Sequence, residues 1–183
     1  MTCDVFMAGF GGQGILLIGN LLSYAAIAEG KNVSYFPAYG VEKRGGAATC
    51  TVVISSAEVG SPVIGRPGAA LILNPLSMEK YYGKVRPGGF CLLNSSLVEG
   101  QGDRDVPQPL RLTITDLALG IGDPRLVNMV TIGAYAAQSG AVSLDSLKDA
   151  LSEVLPERNH RFIPMNIEAI DRGAAFAREA LQG

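Results

Sequence analysis

Short apolar runs alternate with longer segments of helical periodicity along the first two thirds of the chain, and the last third carries helical segments only. Wholly apolar runs such as Ala69–Leu73 are typical of strands covered on both faces. The predicted strands lie at residues 5–8, 32–36, 47–55, 69–73, 90–93 and 110–114. The predicted helices lie at residues 12–29, 75–82, 123–139, 143–155 and 166–181. This order predicts an α/β fold over residues 1–183: a single three-layer α/β/α, Rossmann-like domain with a mostly parallel or mixed sheet and a helical C-terminal third.

Three local patterns refine this prediction. The strand at 47–55 places Thr49, Thr51, Val53 and Ser55 on one face, and this mixed face indicates polar surroundings or contact with another chain. In the helix at 123–139, Gly133 and Ala134 permit close packing against a neighbouring element. Ser143 is expected to cap the next helix.

Between the first strand and the first helix lies the glycine-rich turn Gly9-Phe10-Gly11-Gly12-Gln13-Gly14. Glycine has no Cβ, so these residues let the backbone turn tightly and approach a ligand closely. The following helix directs its unpaired N–H groups and the positive end of its dipole at the same place. We therefore expect Gly9, Gly11, Gly12, Gln13 and Gly14 to bind an anionic group such as a phosphate. The alternative is a tight turn whose glycines serve packing alone.

The turn fits the pattern G-x-G-x-x-G of dinucleotide-binding proteins, which also place an acidic residue about 20 positions later to bind the ribose hydroxyls. The second strand ends instead in Phe36 and Pro37. Glu29 lies on the preceding helix, and Glu42 lies well beyond the strand. This pattern does not favour an ordinary NAD site.

A second loop follows the second strand and combines charges with glycines, Tyr39-Gly40-Val41-Glu42-Lys43-Arg44-Gly45-Gly46. The guanidinium of Arg44 can bind a carboxylate or phosphate, and Gly45 and Gly46 can bring backbone N–H groups to the same ligand. Glu42 can orient Arg44 or take part in proton transfer. The alternative is an exposed loop with a local ion pair.

Composition narrows the classes of protein to which the chain can belong. Of the 183 residues, 48% are hydrophobic and 17% are charged, against a typical charged fraction of about 25%. Such a chain contains a large buried sheet or covers part of its surface with partners. The net charge of −2 argues against nucleic-acid binding, and no apolar run is long enough for a membrane span. Met1-Thr2-Cys3-Asp4 lacks the basic region of a signal peptide, so we expect a soluble, cytoplasmic protein.

The residue types used in most catalytic and metal sites are scarce. Cys3, Cys50 and Cys91 form no C-x-x-C pair, which argues against a zinc or iron–sulfur site and favours reduced core thiols. His160 is the only histidine and is expected in a solvated loop near a helix start. Polar residues at strand ends, such as Asn74 and Asn128, are expected to cap turns and helices. The chain thus has residues suited to binding, and no catalytic residue is predicted.

Taken together, the two loops identify a family resemblance. The sequence resembles the gamma subunit of the 2-oxoacid:acceptor oxidoreductases, which oxidise pyruvate, 2-oxoglutarate or related 2-oxoacids. The resemblance covers about residues 4–175, and its specificity comes from G-G-Q-G and E-x-R-G-G in this order. The matching residues are Gly9-x-Gly11-Gly12-Gln13-Gly14-Ile15, Tyr39-Gly40-x-Glu42-x-Arg44-Gly45-Gly46, Ile54-Ser55, Ser61-Pro62-x-Ile64, Asn94, Asn128, Gly133-Ala134 and Asn166-x-x-Ala169-x-x-x-Gly173. One departure is Gly68, where the family usually has an acidic residue.

The resemblance implies a part in a multi-subunit enzyme. Such an enzyme converts a 2-oxoacid and coenzyme A to acyl-CoA and carbon dioxide, with ferredoxin or flavodoxin as electron acceptor. It implies alpha and beta partner subunits, with or without a delta subunit, and these would carry the thiamine diphosphate, Mg²⁺ and iron–sulfur clusters. This chain would bind no cofactor alone, would be inactive alone, and would face coenzyme A or a neighbouring subunit through the glycine-rich turn and Arg44. When isolated, it could form a homodimer.

Two other interpretations stay open at this point. One is a free-standing regulatory protein that binds a nucleotide through the glycine-rich turn alone. The other is a dinucleotide-dependent dehydrogenase, which the missing ribose-binding acid and the absence of a proton donor disfavour.

Overall fold

The structure, a computed structural model, describes residues 2–39, 47–61, 63–99 and 108–181. The strands within these ranges are β1 (Thr2–Phe10), β2 (Asn32–Tyr39), β3 (Ala47–Ser55), β4 (Ala69–Ile72), β5 (Phe90–Asn94) and β6 (Leu110–Leu112). The helices are α1 (Ile15–Ala28), α2 (Pro75–Tyr81), α3 (Ile114–Ile121), α4 (Val127–Ser139), α5 (Leu144–Asp149), α6 (Leu151–Val154) and α7 (Ile163–Ala180). Short 3₁₀ turns follow α2 and precede α4 and α7, at Tyr82–Lys84, Pro124–Leu126 and Glu157–Phe162.

The strands form one mixed sheet in the order β2-β3-β1-β4-β5-β6. β1, β4, β5 and β6 run parallel, whereas β3 is antiparallel to both β1 and β2. Residues 40–46 are too few for the crossover of roughly a dozen residues that parallel strands need, so β2 and β3 pair as a hairpin. The prediction of a mostly parallel or mixed α/β sheet is therefore confirmed, and the sheet is mixed.

The two faces of the sheet are covered unequally. The main core lies between one face and a helical layer that includes α1, α3, α4 and α7. On the other face, α2 and the 3₁₀ turn after it cover β4 and β5. The β2–β3 part of that face is more open: Phe36 is 48% exposed, and Thr49 and Thr51 are half-buried. This is the mixed face predicted for β3, although Val53 and Ser55 at its far end are buried.

Several helical boundaries differ from the prediction, including the starts of α1 at Ile15 instead of residue 12 and of α4 at Val127 instead of residue 123. Most of the expected connection at 115–122 is helical: α3 covers Ile114–Ile121, and β6 ends at Leu112. The single helix expected at 143–155 is interrupted at Ala150 and forms α5 and α6. α7 begins at Ile163 rather than Asn166, because Pro164 lies in its first turn, where the missing N–H has no helical partner to lose.

Close backbone contact joins α4 and α7. A Cβ on Gly133 would overlap the backbone carbonyl of Ile170, and a Cβ on Gly173 would overlap that of Val130. The close packing predicted at Gly133 is thus present, and Gly173 completes it from the opposite helix.

At Gly68, where the family usually has an acidic residue, the structure places a carboxylate from β1. A Cβ at Gly68 would lie 2.7 Å from Arg86 Cζ, so the guanidinium occupies the space of a side chain there. Asp4 Oδ2 accepts a hydrogen bond of 2.6 Å from Gly68 N, and Asp4 Oδ1 lies 3.6 Å from Arg86 Nη1. Asp4 therefore supplies the carboxylate at the start of β4.

A charged cluster ties the end of α1 to the start of α5. Glu29 accepts hydrogen bonds from Lys31 Nζ at 2.6 Å and from Ser143 N at 2.7 Å. Lys31 Nζ also donates to Ala141 O at 2.7 Å. Ser143 caps α5, as predicted, by accepting a hydrogen bond from Ser146 N. Burial alone would raise the pKa of Glu29, but the hydrogen bonds from Lys31, Ser143 and Ser146 outweigh it and lower the pKa to about 2.

We expect Glu29→Gln to lower the free energy of unfolding by about 1 kcal/mol at neutral pH, because the charge-assisted bonds are lost. A carboxyl with a lowered folded-state pKa stabilises above its unfolded pKa, about 4.3, and this stabilisation is lost as the pH falls toward 2. Urea unfolding between pH 7 and pH 2 measures both effects. The exposed Glu153→Gln variant is the control and should match the wild type within about 0.5 kcal/mol. Equal losses in the two variants would contradict the assignment.

No helix within the described ranges has the length and apolar character needed to cross a lipid bilayer.

Candidate functional site

The glycine-rich turn connects β1 to α1 with two residues in the left-handed region. Gly12 has φ of 99° and Gly14 has φ of 72°. Gly14 is the N-cap of α1 and carries no side chain to cap it. The first helical bond runs from Ile18 N to Gly14 O, and the N–H groups of Ile15, Leu16 and Leu17 find no acceptor among the described residues. The start of α1 thus presents free donors at the positive end of its dipole.

Gln13 folds back into its own turn. Its Oε1 accepts hydrogen bonds from Phe10 N at 2.6 Å and from Asn74 Nδ2 at 3.3 Å. A Cβ on Gly9 would lie 2.7 Å from that oxygen, so Gly9 must be small for the turn to close. Gln13 therefore holds the turn in shape through its oxygen.

Gly14 packs against Asn128, at the start of α4. A Cβ on Gly14 would overlap the Asn128 amide. Asn128 Oδ1 accepts a hydrogen bond of 2.8 Å from Met129 N, and Nδ2 has no acceptor within the described part of the chain. Sequence reasoning took Asn128 for a cap and did not place it at the turn. Packing against Gln13 and Asn128 thus explains why residues 9 and 14 are glycines. Gly11 and Gly12, in contrast, are exposed to solvent.

Two cavities flank the turn. We call the first the helix-side cavity; its volume is about 280 Å³. Its lining includes Gly12, Gly14, Leu17, Asp123, Arg125, Leu126, Asn128, Leu155, Asn159, Phe162, Met165 and Asn166. The second, the α2-side cavity, has a volume of about 500 Å³. Its lining includes Gly9, Phe10, Ala47, Asn74, Leu76, Ser77, Glu79, Lys80 and Tyr81.

The charges of the helix-side cavity are paired at its rim. Arg125 Nε lies 3.0 Å and 2.9 Å from the two carboxylate oxygens of Asp123, and Nη2 contacts Oδ2 at 2.5 Å. Hydrogen bonds from the Arg125 side chain and backbone lower the pKa of Asp123. Arg125 Nη1 has no partner among the described residues, so one side of the guanidinium still has free donors.

The structure brings only part of the predicted site together. Gly9, Gly11, Gly12, Gln13 and Gly14 meet at the turn, as their sequence requires. Glu42, Arg44, Gly45 and Gly46 lie outside the described residues, and for Tyr39 only the backbone, at the end of β2, is described.

The strands that flank this second loop do end beside the turn. Tyr39 is paired with Ala48, and Ala48 is paired with Gly9. The backbone of Tyr39 and residue Ala47, which flank residues 40–46, therefore lie at the end of the sheet from which the glycine-rich turn emerges.

The side chains of Cys50, Cys91 and His160, which could serve in catalysis or metal binding, are instead buried or in contact with the backbone. Burial raises the pKa of the Cys50 and Cys91 thiols to about 12, which keeps them protonated near neutral pH. His160 lies in the 3₁₀ turn before α7, with Nε2 2.8 Å from Leu155 O. Among the described residues, no group of three or more metal-ligating side chains comes together.

Comparison with known proteins identifies the family. A family model described as pyruvate ferredoxin/flavodoxin oxidoreductase matches residues 4–176. The ketoisovalerate oxidoreductase subunit VorA of Methanothermobacter thermautotrophicus is 35% identical over 181 residues, which cover 98% of this chain. The chain spans only 37% of the length of that curated relative.

Two solved structures share the fold. The gamma subunit of a keto/oxoacid ferredoxin oxidoreductase from Geobacter sulfurreducens matches with a TM-score of 0.86 and 29% identity, over 98% of both chains. The 2-oxoglutarate:ferredoxin oxidoreductase of Magnetococcus marinus, solved with 2-oxoglutarate, coenzyme A and succinyl-CoA, matches with a TM-score of 0.86 and 24% identity. That match covers 97% of this chain and 31% of the other. The chain belongs to the pyruvate ferredoxin/flavodoxin oxidoreductase family.

Proposed function

We propose that this chain is the gamma subunit of a multi-subunit 2-oxoacid:ferredoxin oxidoreductase and contributes a surface that faces coenzyme A. The complex would convert a 2-oxoacid and coenzyme A to acyl-CoA and carbon dioxide and pass the electrons to ferredoxin or flavodoxin. The observation that carries the coenzyme A contact is the uncapped start of α1, where three backbone N–H groups lack acceptors in the described residues. Family membership favours this function over a free-standing nucleotide-binding regulator.

The chemistry of coenzyme A suits this surface. Its phosphate groups match free N–H donors at a helix start, and the exposed Gly11 and Gly12 let a ligand approach the backbone. Arg44 would add a charged contact from the second loop. The Magnetococcus relative, which shares the fold, was solved with coenzyme A. In this proposal the site consists of Gly9, Gly11, Gly12, Gln13, Gly14, Tyr39, Glu42, Arg44, Gly45 and Gly46.

The remaining cofactors are assigned to partner subunits. Thiamine diphosphate, Mg²⁺ and the iron–sulfur clusters would lie on the alpha, beta or delta subunits of a cytoplasmic complex. Cys50 and Cys91 are buried and protonated, which suits core residues better than cluster ligands. The VorA relative extends well beyond the matched segment, so in that protein this domain and further polypeptide share one chain.

The proposal is tested by producing the chain alone and together with its partner subunits. We expect no acyl-CoA formation by the chain alone and turnover of pyruvate, 2-oxoglutarate or 2-ketoisovalerate by the assembled complex. Turnover by the isolated chain with NAD(P) would contradict the proposal and favour a dehydrogenase.

Replacing Arg44 by alanine in the assembled complex should raise the KM for coenzyme A about 10-fold, because a charge-assisted hydrogen bond is lost. Steady-state kinetics at varied coenzyme A concentration measure this effect. Arg178→Ala, at an exposed position in the last turn of α7, is the control and should leave that KM unchanged. An unchanged KM for the Arg44 variant in an intact complex would rule out this contact.

A further inference from the structure

A basic surface lies on α2 and the 3₁₀ turn that follows it. Residues 63–90 contain four basic side chains and one acidic side chain, although the whole chain has a net charge of −2. These side chains are Arg66, Lys80, Lys84 and Arg86, against Glu79. The exposed Lys80 and Lys84 form no ion pair with any carboxylate of the described residues. A local excess of one charge on a chain of the opposite sign favours a partner that carries acidic groups.

One aromatic ring holds the two lysines close together. Lys80 Nζ lies 5.3 Å and Lys84 Nζ lies 5.2 Å from the centre of the Tyr81 ring. The π electrons of a ring attract a cation but do not neutralise its charge. Because both ammonium groups lie beside the same ring, one short acidic segment can reach both of them.

A small cavity opens beside these lysines. We call it the Tyr81 cavity; its volume is about 230 Å³. Its lining includes Phe6, Ile64, Gly65, Pro67, Tyr81 and Lys84. The rings of Phe6 and Tyr81 pack with their centroids 4.8 Å apart, so two aromatic rings and one positive charge face the same space. The volume is below the roughly 300–1,000 Å³ of typical sites for cofactors and other small molecules, and it suits a single apolar side chain.

The Tyr81 cavity continues into the open part of the sheet. Phe6 on β1 is paired with Thr51 on β3, and Thr51 is paired with Phe36 on β2, which is 48% exposed. This row crosses three strands without a charged side chain. Aromatic residues surrounded by charges are typical of protein–protein interfaces, whose centres are enriched in aromatic residues and whose rims are polar.

We propose that Lys80, Lys84 and the Tyr81 cavity together dock an acidic segment of a partner subunit. The carboxylates of that segment pair with the two lysines, and a neighbouring apolar side chain enters the cavity. That the partner is a subunit of a 2-oxoacid oxidoreductase rests on the proposed function. The acidic character of the segment rests on the two lysines alone.

Association of the full chain with its separately produced partner subunits, measured by surface plasmon resonance, tests the proposal. We expect Lys80→Glu combined with Lys84→Glu to raise the Kd about 30-fold at about 0.1 M NaCl, because like charges then face each other across the interface. At about 1 M NaCl the difference should fall below about 3-fold, since the Debye length is then only about 3 Å. Lys80→Arg combined with Lys84→Arg keeps both charges and should bind within about 3-fold of the wild type.

The matched control reverses two charges elsewhere. Arg158 and Arg178 are exposed before and within α7 and form no ion pair among the described residues, so their double replacement by glutamate changes the net charge equally. It should change the Kd less than about 3-fold. Lys84→Gln adds no repulsion, should leave the fold intact at this exposed position, and should still raise the Kd about 3-fold.

Several results would overturn the inference: an unchanged Kd in the lysine variants, an equal loss in the Arg158 and Arg178 control, or a loss that persists at high salt. A changed self-association of the isolated chain with an unchanged Kd would assign the surface to a second copy. A raised KM for coenzyme A in an intact complex would assign the lysines to the ligand. If association depends on the two lysines but the complex oxidises no 2-oxoacid, the proposed function fails and the docking surface stands.

Discussion

Replacing Gly173 by alanine should lower the free energy of unfolding by about 3 kcal/mol. The added methyl group would overlap the backbone carbonyl of Val130, and backbone atoms cannot move aside as a flexible side chain can. Relief requires α4 and α7 to separate along their whole contact, which opens the core on the helical side of the sheet. Urea or thermal unfolding followed by circular dichroism measures the loss.

The matched control is the same substitution in an exposed helix. Gly120 lies in α3, and a Cβ there would meet open space. Because alanine favours the helix, Gly120→Ala should raise the free energy of unfolding by about 0.5–1 kcal/mol. If Gly173→Ala lowers the free energy of unfolding and Gly120→Ala raises it, the contact between α4 and α7, and not helix propensity, requires glycine at position 173. A loss below about 1 kcal/mol in Gly173→Ala would contradict the close contact.

Replacing Phe36 by lysine should weaken assembly with the partner subunits about 100-fold while leaving the isolated chain folded. Phe36 lies on the edge strand β2, on the part of the sheet face that α2 leaves uncovered, and is 48% exposed. It stands in one row with Thr51 and Phe6, and Phe6 packs on Tyr81 with ring centroids 4.8 Å apart. Burying a lysine in a subunit interface instead of an aromatic ring costs about 3 kcal/mol, since the charge loses its water.

Leu119→Lys is the control for this effect. Leu119 is 55% exposed on α3, on the helical side of the sheet, so the two variants add the same charge at similar exposure. Co-purification and the stoichiometry of the complex measure assembly, and gel filtration of the isolated chain measures self-association. Equal assembly of both variants would contradict an interface at Phe36. If Phe36→Lys abolishes a homodimer of the isolated chain but leaves assembly with the partner subunits intact, this face binds a second copy of the chain.

The fold could be predicted from the sequence wherever local pattern and tertiary structure agree. Buried strands such as β4 are wholly apolar, and α1 is apolar around its circumference, so each signal is strong on its own. α3 was missed because it is short and followed by glycine, although Ile114, Leu117 and Ala118 have helical spacing. The hairpin of β2 and β3 was not predicted, because strand direction depends on which strands become neighbours in space.

The candidate site, too, could be predicted from the sequence only where a local pattern marks it. The G-G-Q-G turn was found because a glycine-rich segment between a strand and a helix has a direct meaning in backbone geometry. Asn128 was not placed there, because 114 positions separate it from Gly14 along the chain and no local pattern connects them. Gln13 was expected to face a ligand, and the structure shows that its oxygen holds the turn through Phe10 N and Asn74.

By itself, the sequence determined the α/β class, the glycine-rich turn and the family, because apolar periodicity, glycine spacing and motif order are properties of neighbouring residues. Tertiary structure alone decided which strands pair antiparallel, which face of the sheet stays open, and which side of the turn keeps unused donors. These features depend on contacts between distant residues, as between Gly173 and Val130 or Gly14 and Asn128, and such contacts exist only once the helices have packed on the sheet.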